Sequence, residues 1–208
     1  MKVLLVNGSP HANGCTFTAL SEVAKTLNAE GIETEIFHIG ASPISGCRGC
    51  GACRKQKLGR CVIDDIVNEF AAKAKEADGF VFGSPVHYAS IGGSLAAFMD
   101  RFFYSAGKSL RMKPAAAVAS ARRAGTTATL DIINKYFTIS EMPVVSSRYW
   151  NMVHGSTPDD VLKDEEGVAT MHVLGKNMAY ILKALEAAKA AGIPLPEPEP
   201  PVRTNFIR

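Results

Sequence analysis

The sequence predicts an α/β protein with a doubly wound, five-stranded parallel sheet that is covered by helices on both faces. Two observations support this fold class. Short apolar runs alternate with amphipathic helical segments along the chain, and five such strand–helix units with short connections are typical of a parallel sheet with right-handed crossovers. The length of 208 residues also suits a single large domain of this kind.

The first units are marked by hydrophobic periodicity. Lys2–Val6 is a short β-rich run, and the segment Thr16–Glu30 carries apolar residues at helical spacing. Glu33–Ile39 alternates as a strand does. After a cysteine-containing loop, a helix is predicted from about Asp64, where two acidic residues complement the helix dipole.

The later units follow the same alternation. Phe80–Phe82, bracketed by glycines, is the third predicted strand, and Ser94 is a candidate N-cap for the helix after it. Ala115–Ser120 is predicted as the fourth strand, Thr126–Tyr136 as the fourth helix and Met142–Val145 as the fifth strand.

The end of the chain divides into a helix and a tail. A long helix is predicted over roughly Gly167–Ala191, and the segment after it holds five prolines between residues 192 and 201. Prolines at this density favour an extended conformation. We therefore expect one domain over residues 1–191, which includes the cysteine-rich loop 46–61, and a proline-rich tail over residues 192–208.

Composition and charge argue against several classes of function. The chain has 23 Lys plus Arg against 20 Asp plus Glu, and this net charge of +3 gives no reason to expect a nucleic-acid partner. No stretch of 18 apolar residues occurs, so neither a membrane-spanning helix nor a membrane partner is expected. The first apolar run is too short for the core of a signal peptide, which favours a cytoplasmic location.

The loop after the first strand carries the marks of a phosphate site. A loop that runs from a strand into a helix aims free backbone amides at an anion, and ligands of parallel sheets bind at this edge. The motifs of nucleoside-triphosphate and dinucleotide loops are both absent. An ordinary glycine-rich turn is the alternative. The candidate binding residues are Ser9, His11, Asn13, Gly14, Cys15 and Thr16.

Two more loops reach the same edge of the predicted sheet. The loop after the third strand mixes apolar and aromatic side chains, which suits contact with a flat ring. The loop after the fourth strand contains an arginine suited to a phosphate or another anion, although a solvated arginine is the alternative. The candidate residues of these two loops are Pro85, Val86, His87 and Tyr88, and Ser120, Arg122 and Gly125.

Four of the five cysteines form the most specific chemical signal. Cys47, Cys50 and Cys53 are spaced as Cys-x-x-Cys-x-x-Cys, and Cys61 follows after seven residues. In a reducing compartment, clustered thiols indicate a metal or redox site, and this spacing holds three thiolates around a small inorganic cluster in bacterial ferredoxins. Zinc, and free or disulfide-exchanging thiols, are the alternatives.

Together these motifs resemble the flavodoxin-like NAD(P)H-dependent FMN reductases of the iron–sulfur flavoprotein type. The resemblance rests on the phosphate loop, on Ser-Pro-Val-His-Tyr at residues 84–88 and on the cysteine run, and it covers roughly residues 1–190. It implies a strand order of 2-1-3-4-5, FMN held by the three rim loops, NAD(P)H as co-substrate and a [4Fe–4S] cluster on the four clustered cysteines.

The activity that this resemblance implies is electron transfer from NAD(P)H through FMN to a quinone, a free flavin or another small-molecule acceptor. The alternative is an electron carrier in which ferredoxin supplies electrons through the [4Fe–4S] cluster. A zinc- or thiol-based redox sensor that binds no flavin is a third hypothesis. The resemblance also implies a homodimer or homotetramer in which the tail reaches a neighbouring subunit. Trp150 is expected to be a buried anchor.

Overall fold

The computed structural model describes residues 1–200 and 202–206, and a parallel sheet of five strands lies at its centre. The strands are β1 (Lys2–Asn7), β2 (Glu33–His38), β3 (Gly79–Pro85), β4 (Ala115–Ala121) and β5 (Met152–His154). Their order is β2-β1-β3-β4-β5, and every neighbouring pair is parallel. The predicted fold class and strand order are therefore confirmed.

Helices connect these strands on both faces of the sheet. Within the described residues the α-helices are α1 (Cys15–Ala29), α2 (Ala52–Lys55), α3 (Ile66–Ala74), α4 (Gly93–Ala106), α5 (Thr126–Ile139), α6 (Pro158–Lys163) and α7 (Glu165–Ala190). A short 3-10 helix, Gly107–Leu110, follows α4. Among the described residues, no helix is both long and apolar enough to span a membrane.

The alternation of side chains along β1 shows how the sheet builds two cores. Val3 and Leu5 pack with residues of α1 and α7 on one face. Leu4 and Val6 pack with residues of α3, α4 and α5 on the other face. Strands that are buried on both sides must be apolar throughout, as expected for a parallel sheet. The loops at the carboxyl edge of the sheet therefore extend from a sheet that is packed on both faces.

The predicted position of the fifth strand is wrong. The sequence places it at Met142–Val145, whereas β5 is Met152–His154 and pairs with the carboxyl-terminal half of β4. Val144 makes only an isolated parallel bridge to Ala115, at the amino end of β4. Met142 and Val145 are buried as the prediction requires. They are buried at the edge of the sheet, however, without a continuous ladder of hydrogen bonds to β4.

Two smaller expectations also need correction, and two short helices lie outside the prediction. The N-cap of α4 is Gly92, so Ser94 lies inside the helix instead of capping it. The helices α2 and α6 were not predicted. Trp150 is 58% exposed, and its ring packs edge-on against that of Tyr149 at a centroid distance of 4.9 Å. The sole tryptophan is therefore a surface residue.

The proline-rich tail starts at a turn after α7. Gly192 has a φ of +74° there, a value that glycine adopts without steric cost. Residues 193–200 and 202–206 form neither helix nor strand, while the predictions for residues 201, 207 and 208 lie outside the described part of the chain. Arg111 donates a hydrogen bond of 2.6 Å to the carbonyl of Pro196, so the first part of the tail contacts its own chain.

Candidate functional site

A cleft with a volume of about 670 Å³ opens at the carboxyl edge of the sheet. This volume falls within the range of about 300–1,000 Å³ that small-molecule sites occupy. Loops after four of the strands form its walls. The predicted residues that line it are Ser9, His11, Asn13, Gly14, Cys15, Thr16, Pro85, Val86, Ser120 and Arg122.

The loop after β1 is shaped by the side chain of Asn7, which is fully buried. Its carbonyl oxygen accepts the amide of Ser9 at 3.1 Å. Its amide nitrogen donates to the carbonyls of His11 at 3.3 Å and Ala12 at 3.1 Å. His38, the last residue of β2, contacts the Ser9 carbonyl through Nε2 at 2.8 Å. Three carbonyls of the loop, those of Ser9, His11 and Ala12, therefore have partners within the protein.

The N-terminus of α1 opens into this cleft without a cap. Gly14 occupies the N-cap position, and no side chain accepts a hydrogen bond from the first turn. The bond from the Thr18 amide to the Gly14 carbonyl is the first of the helix. Amides before it have no acceptor within a helix, and the helix dipole adds partial positive charge at the same point. The arrangement fits a phosphate group.

Two side chains of the first turn of α1 tie the walls of the cleft together. The Thr16 hydroxyl lies 2.8 Å from that of Ser120 at the end of β4. The Cys15 thiol donates to the carbonyl of Gly155 at 3.6 Å. Burial raises the pKa of the Cys15 thiol, so this group stays neutral near pH 7 and adds no negative charge beside the helix N-terminus.

The loop after β3 contributes only part of the predicted set to the cleft. Val86 lines it, and its amide donates to the Ser120 carbonyl at 2.8 Å. His87 and Tyr88 are not in the lining. His87 exchanges two backbone hydrogen bonds with Ser90, and Tyr88, with a φ of +60°, is fully exposed at the tip of this turn.

Gly125 supports the cleft from behind instead of lining it. Its φ of +93° lies in the region that favours glycine. A Cβ atom at this position would stand 2.7 Å from Cγ1 of Val86. Gly125 therefore leaves room for the Val86 side chain, while the predicted contact of Gly125 with a ligand is not seen in the lining.

The loop after β5 forms a further wall, of which residues 156–158 were not predicted. Gly155, Ser156, Thr157 and Pro158 line the cleft. Thr157 and Asp160 form a capping box at the start of α6. The Thr-Pro-Asp-Asp sequence is a recognisable helix start, but the misplacement of the fifth strand put this loop away from the predicted rim.

The four clustered cysteines border a second, smaller cavity of about 140 Å³. Cys47 and Cys50 are exposed, and Cys53 and Cys61 are partly buried. Helix α4 supplies Arg101, Tyr104 and Ser105 to the same cavity. All four predicted cysteines therefore line one cavity.

The donor set of this cavity fits an iron–sulfur cluster, since four thiolates are the usual ligands of a [4Fe–4S] centre. Three of the cysteines lie on a loop whose glycines at 49 and 51 have positive φ angles. Across residues 1–200 and 202–206, however, no three His, Cys, Asp or Glu side chains stand close enough together to hold a metal ion. Binding of a cluster would require the cysteines of this loop to close around it.

Comparison with known proteins identifies the family. The sequence model of the NADPH-dependent FMN reductase family matches residues 1–157. The chain is 34% identical over 194 residues to an iron–sulfur flavoprotein of Methanocaldococcus jannaschii, covering 89% of this chain and all of the relative. An iron–sulfur flavoprotein of Methanosarcina thermophila is 27% identical over 190 residues, covering 89% of this chain and 97% of the relative.

Solved structures agree with the fold. A flavodoxin from the domain Archaea superposes with a TM-score of 0.60 at 16% identity, over 88% of this chain and 99% of that one. RosB superposes with a TM-score of 0.70 at 14% identity, over 99% of this chain and 92% of that one. On the family match and the iron–sulfur flavoprotein relatives, the chain belongs to the NADPH-dependent FMN reductase family of flavin-dependent oxidoreductases.

Proposed function

We propose that this oxidoreductase binds FMN in the rim cleft and passes electrons from NAD(P)H to a small-molecule acceptor such as a quinone or a free flavin. One observation carries the proposal: the uncapped N-terminus of α1 opens into the cleft beside the hydroxyls of Ser9 and Thr16. Such a helix N-terminus favours binding of a phosphate group. When bound, FMN supplies the hydride and electron chemistry.

The residues of the cleft bind and orient the cofactor in this proposal. The amides of Cys15 and Thr16 and the hydroxyl of Ser9 hold the phosphate. Pro85 and Val86 present an apolar edge to the ring system, and Arg122, exposed at the rim, offers a positive charge to an anionic ring or to a phosphate of NAD(P)H.

The neighbouring structure of RosB supports a flavin phosphate as the ligand. That protein was solved with bound 8-demethyl-8-formylriboflavin-5'-phosphate. This chain has the same fold, and its cleft lies where ligands of doubly wound sheets bind.

The test is the identity of the cofactor and of its reductant. We expect heat-released cofactor to co-elute with FMN, and we expect NADH or NADPH to bleach the flavin absorbance of anaerobic holoprotein. Recovery of FAD, or apoprotein that takes up no FMN, would overturn the binding proposal. Flavin that neither pyridine nucleotide reduces would overturn the proposed donor and leave the binding proposal intact.

A second candidate function is favoured by the cysteine cavity. We infer that the protein is an electron carrier in which Cys47, Cys50, Cys53 and Cys61 hold a [4Fe–4S] cluster that receives electrons from ferredoxin. The common cavity of the four thiols and the names of the curated relatives support this inference. We also propose a cytoplasmic location, a reducing compartment in which clustered cysteines serve as metal or redox sites.

The two functions differ in the electron donor. Anaerobically prepared protein should contain about four irons and four sulfides per chain if the cluster is present. Reduced ferredoxin should then reduce the flavin faster than NAD(P)H does. Iron-free protein that NAD(P)H reduces at full rate would favour the first function alone.

We also propose that the protein assembles as a homodimer or homotetramer. The exposed aromatic residues Tyr149, Trp150 and Tyr180, at 55%, 58% and 74% exposure, support an interface between copies of the chain, because aromatic residues are enriched in interface cores. Sedimentation at micromolar concentrations should give a multiple of 22.2 kDa. A mass of one chain at every concentration would contradict assembly.

A further inference from the structure

Arg101 is the largest fully buried side chain described, with 1% of its surface exposed. It lies on α4, in the wall of the cysteine cavity. A charged side chain is almost never buried to this degree unless it is paired and hydrogen-bonded. The hydrogen-bond partners of Arg101 therefore indicate its role.

Those partners lie at both ends of the cysteine-rich loop. Asp65 accepts two hydrogen bonds from the guanidinium, at 2.5 and 2.9 Å. The carbonyl of Ser45, before the first cysteine, accepts at 3.3 Å, and that of Ile63, after the last, accepts at 2.8 Å. The remaining donor, Nε, points at Cys61 Sγ at a distance of 3.3 Å.

Cys61 is fixed from its backbone side as well. Its amide donates to the side chain of Asn68 at 2.9 Å, and its carbonyl accepts from the same side chain at 2.9 Å. Cys47 and Cys50, by contrast, are exposed. The fourth cysteine is thus the thiol whose backbone and sulfur are both held by buried polar side chains.

We propose that Arg101 is the positioning residue of the cysteine cavity, which orients the Cys61 sulfur and raises the reduction potential of the group that the four cysteines hold. The proposal rests on the iron–sulfur part of the proposed function. Hydrogen bonds to ligand sulfurs and the net charge around a cluster set its potential. The reduced form carries one more negative charge, so an N–H donor from a cation stabilises it more than the oxidised form.

A nearby arginine provides a matched control. Arg54, on α2, stacks 3.8 Å over the ring of Tyr104, and Tyr104 lines the same cavity as Arg101. Arg54 therefore places a charge equal to that of Arg101 near the cavity. It contacts the ring of Tyr104, whereas Arg101 contacts the sulfur of Cys61. Arg54→Gln removes this charge and leaves the bond between Arg101 and Cys61 in place.

The test compares the potential of the cluster in full-length, anaerobically prepared holoprotein. The double variant Arg101→Gln with Asp65→Asn removes the buried ion pair without leaving an unpaired charge, and Asn can still cap α3. Arg101→Lys retains the charge, but a single ammonium lacks the planar fork that serves Asp65 and Cys61 together. Dithionite titration followed by electron paramagnetic resonance gives the midpoint, and bound FMN reports that the fold is intact.

In both Arg101 variants we expect the one-electron equilibrium to shift about tenfold toward the oxidised cluster, which is a fall of about 59 mV in its reduction potential. We also expect both variants to lose iron to a chelator faster than the wild-type protein does. Arg54→Gln should shift the potential less. Variants that keep FMN and cluster but show the wild-type midpoint would overturn the role of Arg101 alone. Wild-type protein without iron and sulfide would overturn the cluster and, with it, this role.

Discussion

The side-chain carbonyl of Asn7 accepts the backbone amide of Ser9 at a distance of 3.1 Å, two residues along the chain. This bond turns the backbone immediately after β1, and the other end of the same side chain holds the carbonyls of His11 and Ala12. The proposed phosphate loop is therefore shaped by a buried residue outside the lining of the cleft.

Replacement of Asn7 should damage the loop before it damages the sheet. In Asn7→Ala, one amide and two carbonyls lose their partner, which we expect to lower the free energy of unfolding by roughly 1–3 kcal/mol. We expect FMN affinity to fall at least about tenfold, measured by quenching of FMN fluorescence on titration with apoprotein. Asn28→Ala, at an exposed site, is the control, and equal affinities in the two variants would contradict the role of Asn7.

The charge at the N-cap of α1 should decide phosphate binding. Gly14→Asp places a carboxylate where the phosphate is proposed to lie, and its Cβ would stand 3.1 Å from that of His11. Asn is nearly the same shape and caps helices equally well. We expect Asp to abolish FMN binding and Asn to weaken it only modestly, in equilibrium dialysis at neutral pH. Similar losses in both variants would point to crowding instead of charge.

The cysteines should separate into two functional groups. Each Ser substitution at Cys47, Cys50, Cys53 or Cys61 should lower iron and sulfide content, because a serine oxygen is a harder donor than a thiolate. Cys15→Ser should leave iron unchanged, since Cys15 lies in the rim cleft. FMN content should survive the four ligand changes. Colorimetric iron and sulfide assays on anaerobic preparations measure this, and iron that persists in all four variants would exclude these ligands.

Alkaline pH should weaken the packing of α5 against α4. The Tyr136 hydroxyl donates to Asp100 at 2.5 Å, and burial, together with this carboxylate, raises the pKa of Tyr136. The folded state thus retains a proton that the unfolded state loses above pH 10, the usual pKa of tyrosine. The free energy of unfolding should therefore fall as pH rises beyond about 10.

Urea unfolding between pH 8 and 11 checks this expectation. Tyr136→Phe should flatten the alkaline fall because it removes the titrating group. Tyr88→Phe, at a fully exposed site outside the cleft lining, should keep the wild-type slope. A fall of the same size in all three proteins would assign the effect to other groups.

The central strands and their helices could be predicted because their signals are local. Within β1, Val3–Val6 is apolar on both faces, as a central parallel strand must be, and the helix after it shows a clear period. The fifth strand could not be placed, because Met142 and Val145 are buried without a continuous ladder. Periodicity detects burial and does not detect which backbone groups pair.

Most candidate site residues were predictable where a loop directly follows a correctly placed strand, although His87 and Tyr88 lie outside the lining. Ser9 through Thr16 line the cleft for that reason. Thr157 and Pro158 were missed because the strand before them was misplaced. The role of Arg101 was missed because its partners lie 36 and 40 positions away in the sequence. The pairing of a buried charge with residues distant in the sequence produces no periodic pattern of residue types.

The length of helix α4 sets the distance between the two candidate sites. Near its start, Leu95 packs so closely on the loop after β1 that a Cβ at Gly8 would stand 2.6 Å from Cδ2 of Leu95. Arg101 follows six residues later, a rise of about 9 Å. Because each residue turns a helix by about 100°, a single insertion between them would swing Arg101 away from Cys61 while leaving the flavin rim in place. Changes in the length of this helix would therefore move the cysteine cavity relative to the cleft at the carboxyl edge.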